Sequence, residues 1–84
     1  MNQKIKQDGR ICIGNNIRRI RLEKKMKQTE LVRLIQVSGV CLTRETLVKI
    51  ERGTQHIYAS QLRAIRDALD TTYEELLEPT STKV

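Results

Sequence analysis

From Ile13 onward the apolar residues form short helical stripes separated by glycines and polar breaks. Ile13, Ile17 and Ile20 stand at i, i+4 and i+7, one face of a helix over about residues 13–25, while Arg18, Arg19, Lys24 and Lys25 lie largely elsewhere. Met26-Lys27-Gln28 is a short break, and a second helix runs from Gln28 to about Gln36 with Leu31, Leu34 and Ile35 apolar. With Lys27 as N-cap, Met26 and Leu31 have the spacing of a hydrophobic staple. Glu30 then falls in the first turn, where the helix dipole favours an acid, although Lys27 is itself a poor cap.

Gly39 ends this stretch, and residues 37–42 form a connection whose Val40 and Leu42 tuck inward. Thr43 is a good N-cap for a third helix from Arg44 to about Arg52, and Gly53 suits the left-handed residue that follows a helix end. Residues 54–58 read as a loop. A fourth helix spans about 59–69, with Leu62, Ile65 and Leu69 inward. Thr72-Tyr73-Glu74-Glu75 is a capping box that opens a short fifth helix carrying Leu76 and Leu77, and Pro79 closes it. Residues 1–12 have no periodic apolar face and are read as a flexible basic arm, and 79–84 as a loose tail. The expected architecture is all-α, a compact five-helix bundle over residues 13–78.

Composition limits the core. The chain has 84 residues, room for one domain, with 38% hydrophobic residues and no Phe or Trp. Tyr58 and Tyr73 are read as packing residues. Cys12 and Cys41 form no C-x-x-C pair, and His56 is the only histidine, short of the roughly four regularly spaced ligands that zinc requires. No metal, disulfide or cofactor is therefore expected, and the two thiols are read as reduced and partly buried. No apolar run reaches membrane length, which points to a cytoplasmic protein with no membrane partner. There is no Gly-rich phosphate loop and no grouping of His, Cys and acid, so no catalytic residues are expected and an enzyme is not.

Charge changes the picture. Residues 1–27 hold nine basic and two acidic side chains, whereas 28–84 hold seven basic and eight acidic. A basic lobe suits a polyanion such as DNA, RNA or an anionic membrane surface. The third helix offers the matching chemistry. At about 100° per residue from Arg44, the residues Arg44, Glu45, Val48, Lys49 and Arg52 fill one flank, and Leu47, Ile50 and Glu51 fill the other. Arg and Lys donate to guanine O6 and N7, Glu accepts from cytosine N4, and an aliphatic group meets a thymine methyl. A solvated amphipathic helix would show the same split. Arg44 adds a hint, since a cation in the first turn costs some tenths of a kcal/mol against the dipole and has no evident structural return.

Four pieces, in order and spacing, resemble the lambda-repressor-like, Cro/Xre-type helix-turn-helix family: 17–21 (IRRIR), 28–32 (QTELV), 43–53 (TRETLVKIERG) and 62–69 (LRAIRDAL). The resemblance implies five helices, with the second and third forming the DNA-reading unit. It implies that Arg44, Glu45, Val48 and Lys49 read bases. It implies phosphate contacts from Gln28, Thr29, Thr43, Arg52, Gln55, His56 and Arg19, and an ion pair between Arg21 and Glu51. It also implies double-stranded DNA as partner, a homodimer on a pseudo-palindromic operator, and a repressor. An antitoxin-like regulator with a protein partner or antagonist is the alternative. Two departures stand out: Lys27 occupies a position the family usually gives to Thr or Ser, and the stretch from Gln28 to Thr43 is longer than usual, resembling a longer-turn variant.

Overall fold

The computed structural model describes residues 4–5 and 12–78. Five helices follow in order: α1 (Ile13–Glu23), α2 (Gln28–Val37), α3 (Arg44–Glu51), α4 (Ala59–Leu69) and α5 (Tyr73–Leu77). Two short strands, β1 (Lys4–Ile5) and β2 (Ile57–Tyr58), add a minor antiparallel pair in which Lys4 faces Tyr58 and Ile5 faces Ile57. The expected five-helix bundle is present. Two residues of the region expected as a flexible arm, and the end of the expected 54–58 loop, are strand instead. Ile5 packs against the core and Ile57 is fully buried, so one apolar side chain per strand accounts for the pairing. A two-residue strand is too short to leave an alternation in the sequence. The rest of the expected arm (1–3 and 6–11) and the expected tail with Pro79 lie outside the described residues.

The core is aliphatic. Ile13, Ile17 and Ile20 of α1 meet Leu31 and Ile35 of α2, Leu47 and Ile50 of α3, Ile65 and Leu69 of α4 and Leu76 of α5, all 2% exposed or less. Leu42 is buried and Val40 packs beside it, as expected for the connection, whereas Leu34 faces outward and Val32 takes the inward place. Each fully buried Leu or Ile is worth about 1.5–3 kcal/mol relative to exposure. Both cysteines are exposed rather than partly buried, and both tyrosines are more than a third exposed. Tyr73 lies under the Arg66 guanidinium, 4.4 Å from its ring centre, a contact that needs an exposed ring face.

The first four helices end alike. After α2, the Gly39 N–H donates to Gln36 O and the Val40 N–H to Ile35 O; after α3, the Gly53 N–H donates to Ile50 O and the Thr54 N–H to Lys49 O. These are paired Schellman bonds, which need a left-handed residue at the turn, and Gly39 (φ 96°) and Gly53 (φ 80°) supply it. Lys25 (φ 57°) and Asp70 (φ 54°) do the same after α1 and α4 at a steric cost glycine avoids. No helix of the described residues is long and apolar enough to cross a membrane.

Candidate nucleic-acid interface

α3 is built to be buried on one side and open on the other. Thr43 caps it, its Oγ1 accepting from the Thr46 N–H at 3.1 Å. Leu47, Ile50 and Glu51 face inward and are buried. Arg44, Glu45, Lys49 and Arg52 are exposed, and Val48 is half-buried between them. Of the residues read as base-contacting, all four thus share the outward flank of one helix, with an aliphatic patch amid three long polar side chains.

The inward acid is explained by its partner. Arg21 of α1 grips Glu51 with two nitrogens: Nε donates to Oε2 at 2.8 Å and Nη2 to Oε1 at 3.0 Å. Its remaining Nη1 donates to Met26 O at 2.9 Å. Both side chains are almost excluded from solvent, 8% and 3% exposed. A fork-to-fork arginine–carboxylate pair is the geometry in which two buried charges best satisfy each other. Gln28, the first residue of α2, joins it by donating from Nε2 to Glu51 Oε1 at 3.1 Å. One buried carboxylate therefore ties the end of α1, the start of α2 and the end of α3 together. It also orients Gln28, whose amide keeps a second hydrogen for another acceptor.

The poor cap at Lys27 is made good from the other side. The Lys27 N–H donates to Glu30 Oε1 at 2.9 Å, the half of a capping box that needs no acceptor on residue 27. An ammonium at this position leaves a cation beside the α2 N-terminus. Along the lengthened connection, two glutamines hold consecutive carbonyls: Gln36 Nε2 donates to Leu42 O at 2.8 Å and Gln61 Nε2 to Cys41 O at 3.3 Å. The extra residues are thus pinned to α2 and α4 just ahead of Thr43, and α3 keeps a defined start.

Between α1, α2 and α3 runs an open trough. It consists of two adjoining depressions that share Arg18, Gln28 and Arg44, one lined also by Lys27 and Thr29 and the other by Val48 and Arg52. Gln28, Thr29, Arg44, Val48 and Arg52 are therefore brought together. The expected site also names Thr43, which is exposed at the start of α3, and Gln55 and His56, half-buried and exposed in the segment before β2. Gln55 and Thr43 line a separate depression, with Tyr58 and Gln61, at the α3 N-terminus. Arg19 does not line the trough: its Nη1 lies 3.3 Å from Glu23 Oε2, and its Nε is buried. Arg18, by periodicity alone an ordinary charge off the apolar face, does line it. Asn16 carries no signal in the sequence; it is buried and donates to Leu76 O at 2.7 Å and Glu78 O at 2.9 Å, fastening α5 to α1.

The family model for the Cro/C1-type helix-turn-helix DNA-binding domain matches residues 16–81, which is most of the chain. The chain belongs to the Cro/C1-type helix-turn-helix family. Two solved structures are similar to this family member over most of their lengths. One is the restriction-modification controller protein C.AhdI from Aeromonas hydrophila, at 26% identity and a TM-score of 0.69, covering 79% of this chain and 92% of that one. The other is a hypothetical transcription factor, NHTF, from Neisseria, at 30% identity and a TM-score of 0.72, covering 88% of this chain and 79% of that one. No curated protein matches. As a Cro/C1-type protein the chain is a DNA-binding transcription regulator, with α2 and α3 as its helix-turn-helix.

Proposed function

We propose that this regulator is a cytoplasmic repressor that binds as a homodimer to a pseudo-palindromic operator. Arg44, Glu45, Val48 and Lys49 of α3 read base edges in the major groove. Gln28, Thr29, Thr43, Arg52, Gln55 and His56 hold phosphates on either side. The observation that carries this reading is the outward flank of α3, where these long side chains stand exposed on a helix whose other flank is locked into the core. Phosphate contacts set orientation and base contacts set sequence, so an exposed reading helix beside a cationic trough is the division of labour a sequence-specific binder needs. Repression asks least of such a domain, since occupying an operator is enough and no activating contact is required. The likeness to a controller protein and to a transcription factor supports the same reading.

Selection of bound duplexes from a random pool tests it. The expected consensus has two inverted half-sites with centres about one helical turn, ~34–36 Å, or a multiple of it apart. Recovery of no consensus, or of one asymmetric element bound by a single copy, would contradict the proposal. The electrostatic share is tested by titration. Each phosphate neutralised should contribute about −0.9 to the slope of log K against log salt, so affinity should fall steeply as salt rises. Binding that stays flat between about 50 and 200 mM salt would show that the cationic trough does not meet the backbone.

A further inference from the structure

We propose that Arg18 of α1 is a DNA-backbone contact, gripping one phosphate from the side of the trough opposite α3. The inference rests on the DNA-binding reading above. It starts from the geometry of α1. Gly14, Ile17 and Arg21 form the flank of α1 that packs against α3, and at about 100° per residue Arg18 stands at the solvent edge of that flank. Arg19 is a further 100° or so round, where it pairs with Glu23. Arg18 is exposed and pairs with no carboxylate among the described residues. With Gln28 and Arg44 it lines both depressions of the trough, one of which also holds Lys27 and the other Arg52. The acid in this wall, Glu51, is already held by Arg21 and does not neutralise the group.

Three arginines and a lysine converging on one trough repel one another, and the arrangement makes chemical sense when an anion sits between them. A duplex placed against the outward flank of α3 brings its backbone alongside, and a phosphate there would meet the Arg18 guanidinium, the free amide hydrogen of Gln28 and the Lys27 ammonium. An arginine can engage such a phosphate through two parallel N–H bonds, which a lysine cannot. Helix α1, outside the helix-turn-helix itself, thereby becomes part of the DNA surface.

The test is binding of the full chain to a selected and a scrambled duplex across a salt series. Arg18→Ala should weaken both duplexes by the same several-fold factor and reduce the salt slope by about one, with the melting temperature unchanged because the side chain is exposed. Arg18→Lys should restore the slope and only part of the affinity. Arg63→Ala, at an exposed position of α4 away from the trough, should leave the slope as in the wild type. An unchanged slope and affinity in Arg18→Ala would overturn the proposal, as would a loss confined to the selected duplex, which would make Arg18 a base reader. A wild-type chain that does not discriminate between the duplexes would sink the operator reading and leave the Arg18 slope test standing.

Discussion

Glu51→Ala is expected to lower the melting temperature by more than about 10 °C. The substitution leaves the Arg21 guanidinium buried with its two strongest acceptors gone, and removes the partner of Gln28 as well. Removing one member of a buried ion pair costs about 3–5 kcal/mol, most of it the penalty of the charge left behind. In a domain of this size each kcal/mol moves the midpoint by about 4–8 °C. The pair itself is a different matter. Replacing both members with apolar side chains of similar volume is often neutral, so Arg21→Met with Glu51→Leu should recover much of the lost stability. Thermal unfolding of the wild type and the two variants checks this. A Glu51→Ala midpoint equal to that of the wild type would mean that the pair is not buried, and would remove the link between α1, α2 and α3 on which the placement of Gln28 depends.

The second large effect is expected at Gly14, where a single methyl group should separate the two helices that the ion pair joins. A Cβ at residue 14 would overlap the Ile50 carbonyl oxygen and lie 2.9 Å from the Ile50 carbonyl carbon and 3.0 Å from Glu51 Cα. All three are backbone atoms of α3 and cannot swing aside as a side chain would. Alanine gains about 1 kcal/mol of helix propensity over glycine, which sets the baseline against which the clash is judged. Overpacking typically costs about 1–3 kcal/mol and sometimes more, and contact with rigid backbone belongs at or above the top of that range. Gly14→Ala should therefore destabilise despite its better propensity. The chain that still folds should bind DNA more weakly, because the rear of the reading helix has been pushed off α1. Calorimetry of the purified variant decides it. A gain in stability of the size propensity alone predicts would show that α1 and α3 do not approach this closely.

These two positions also mark where the sequence is informative and where it stops. The stripe Ile13-Ile17-Ile20, the Thr43 cap and the glycine after α3 declare themselves, because each acts on its own helix and needs no knowledge of neighbours. The Arg21–Glu51 pair was legible only through the family resemblance; from periodicity alone Glu51 is a misplaced charge on an apolar flank. Gly14 could not be read at all. A glycine in a helix looks like a small defect until another backbone is known to lie against it. The same holds for Arg18 and Arg19. Both fall off the apolar face of α1, and only the position of α3 decides which of the two adjacent arginines borders the trough. β1 left no trace because two residues make no pattern, and its partner strand is more than fifty positions away. Cys12 and Cys41 are read from the sequence as partly buried, but they sit just ahead of α1 and in the lengthened connection, where both are exposed.

The claim that α3 reads sequence is tested most directly by Arg44→Ala and Lys49→Ala against a selected duplex and a scrambled one at a single salt concentration. Both side chains are exposed on the outward flank, so neither substitution should disturb folding. Each should reduce the preference for the selected duplex by about 1–3 kcal/mol, with a smaller effect on the scrambled one. Gln28→Ala, at the start of α2, should weaken both duplexes by similar factors. Equal losses on the two duplexes for Arg44→Ala and Lys49→Ala would contradict the account and mean that the lengthened connection turns α3 away from the groove.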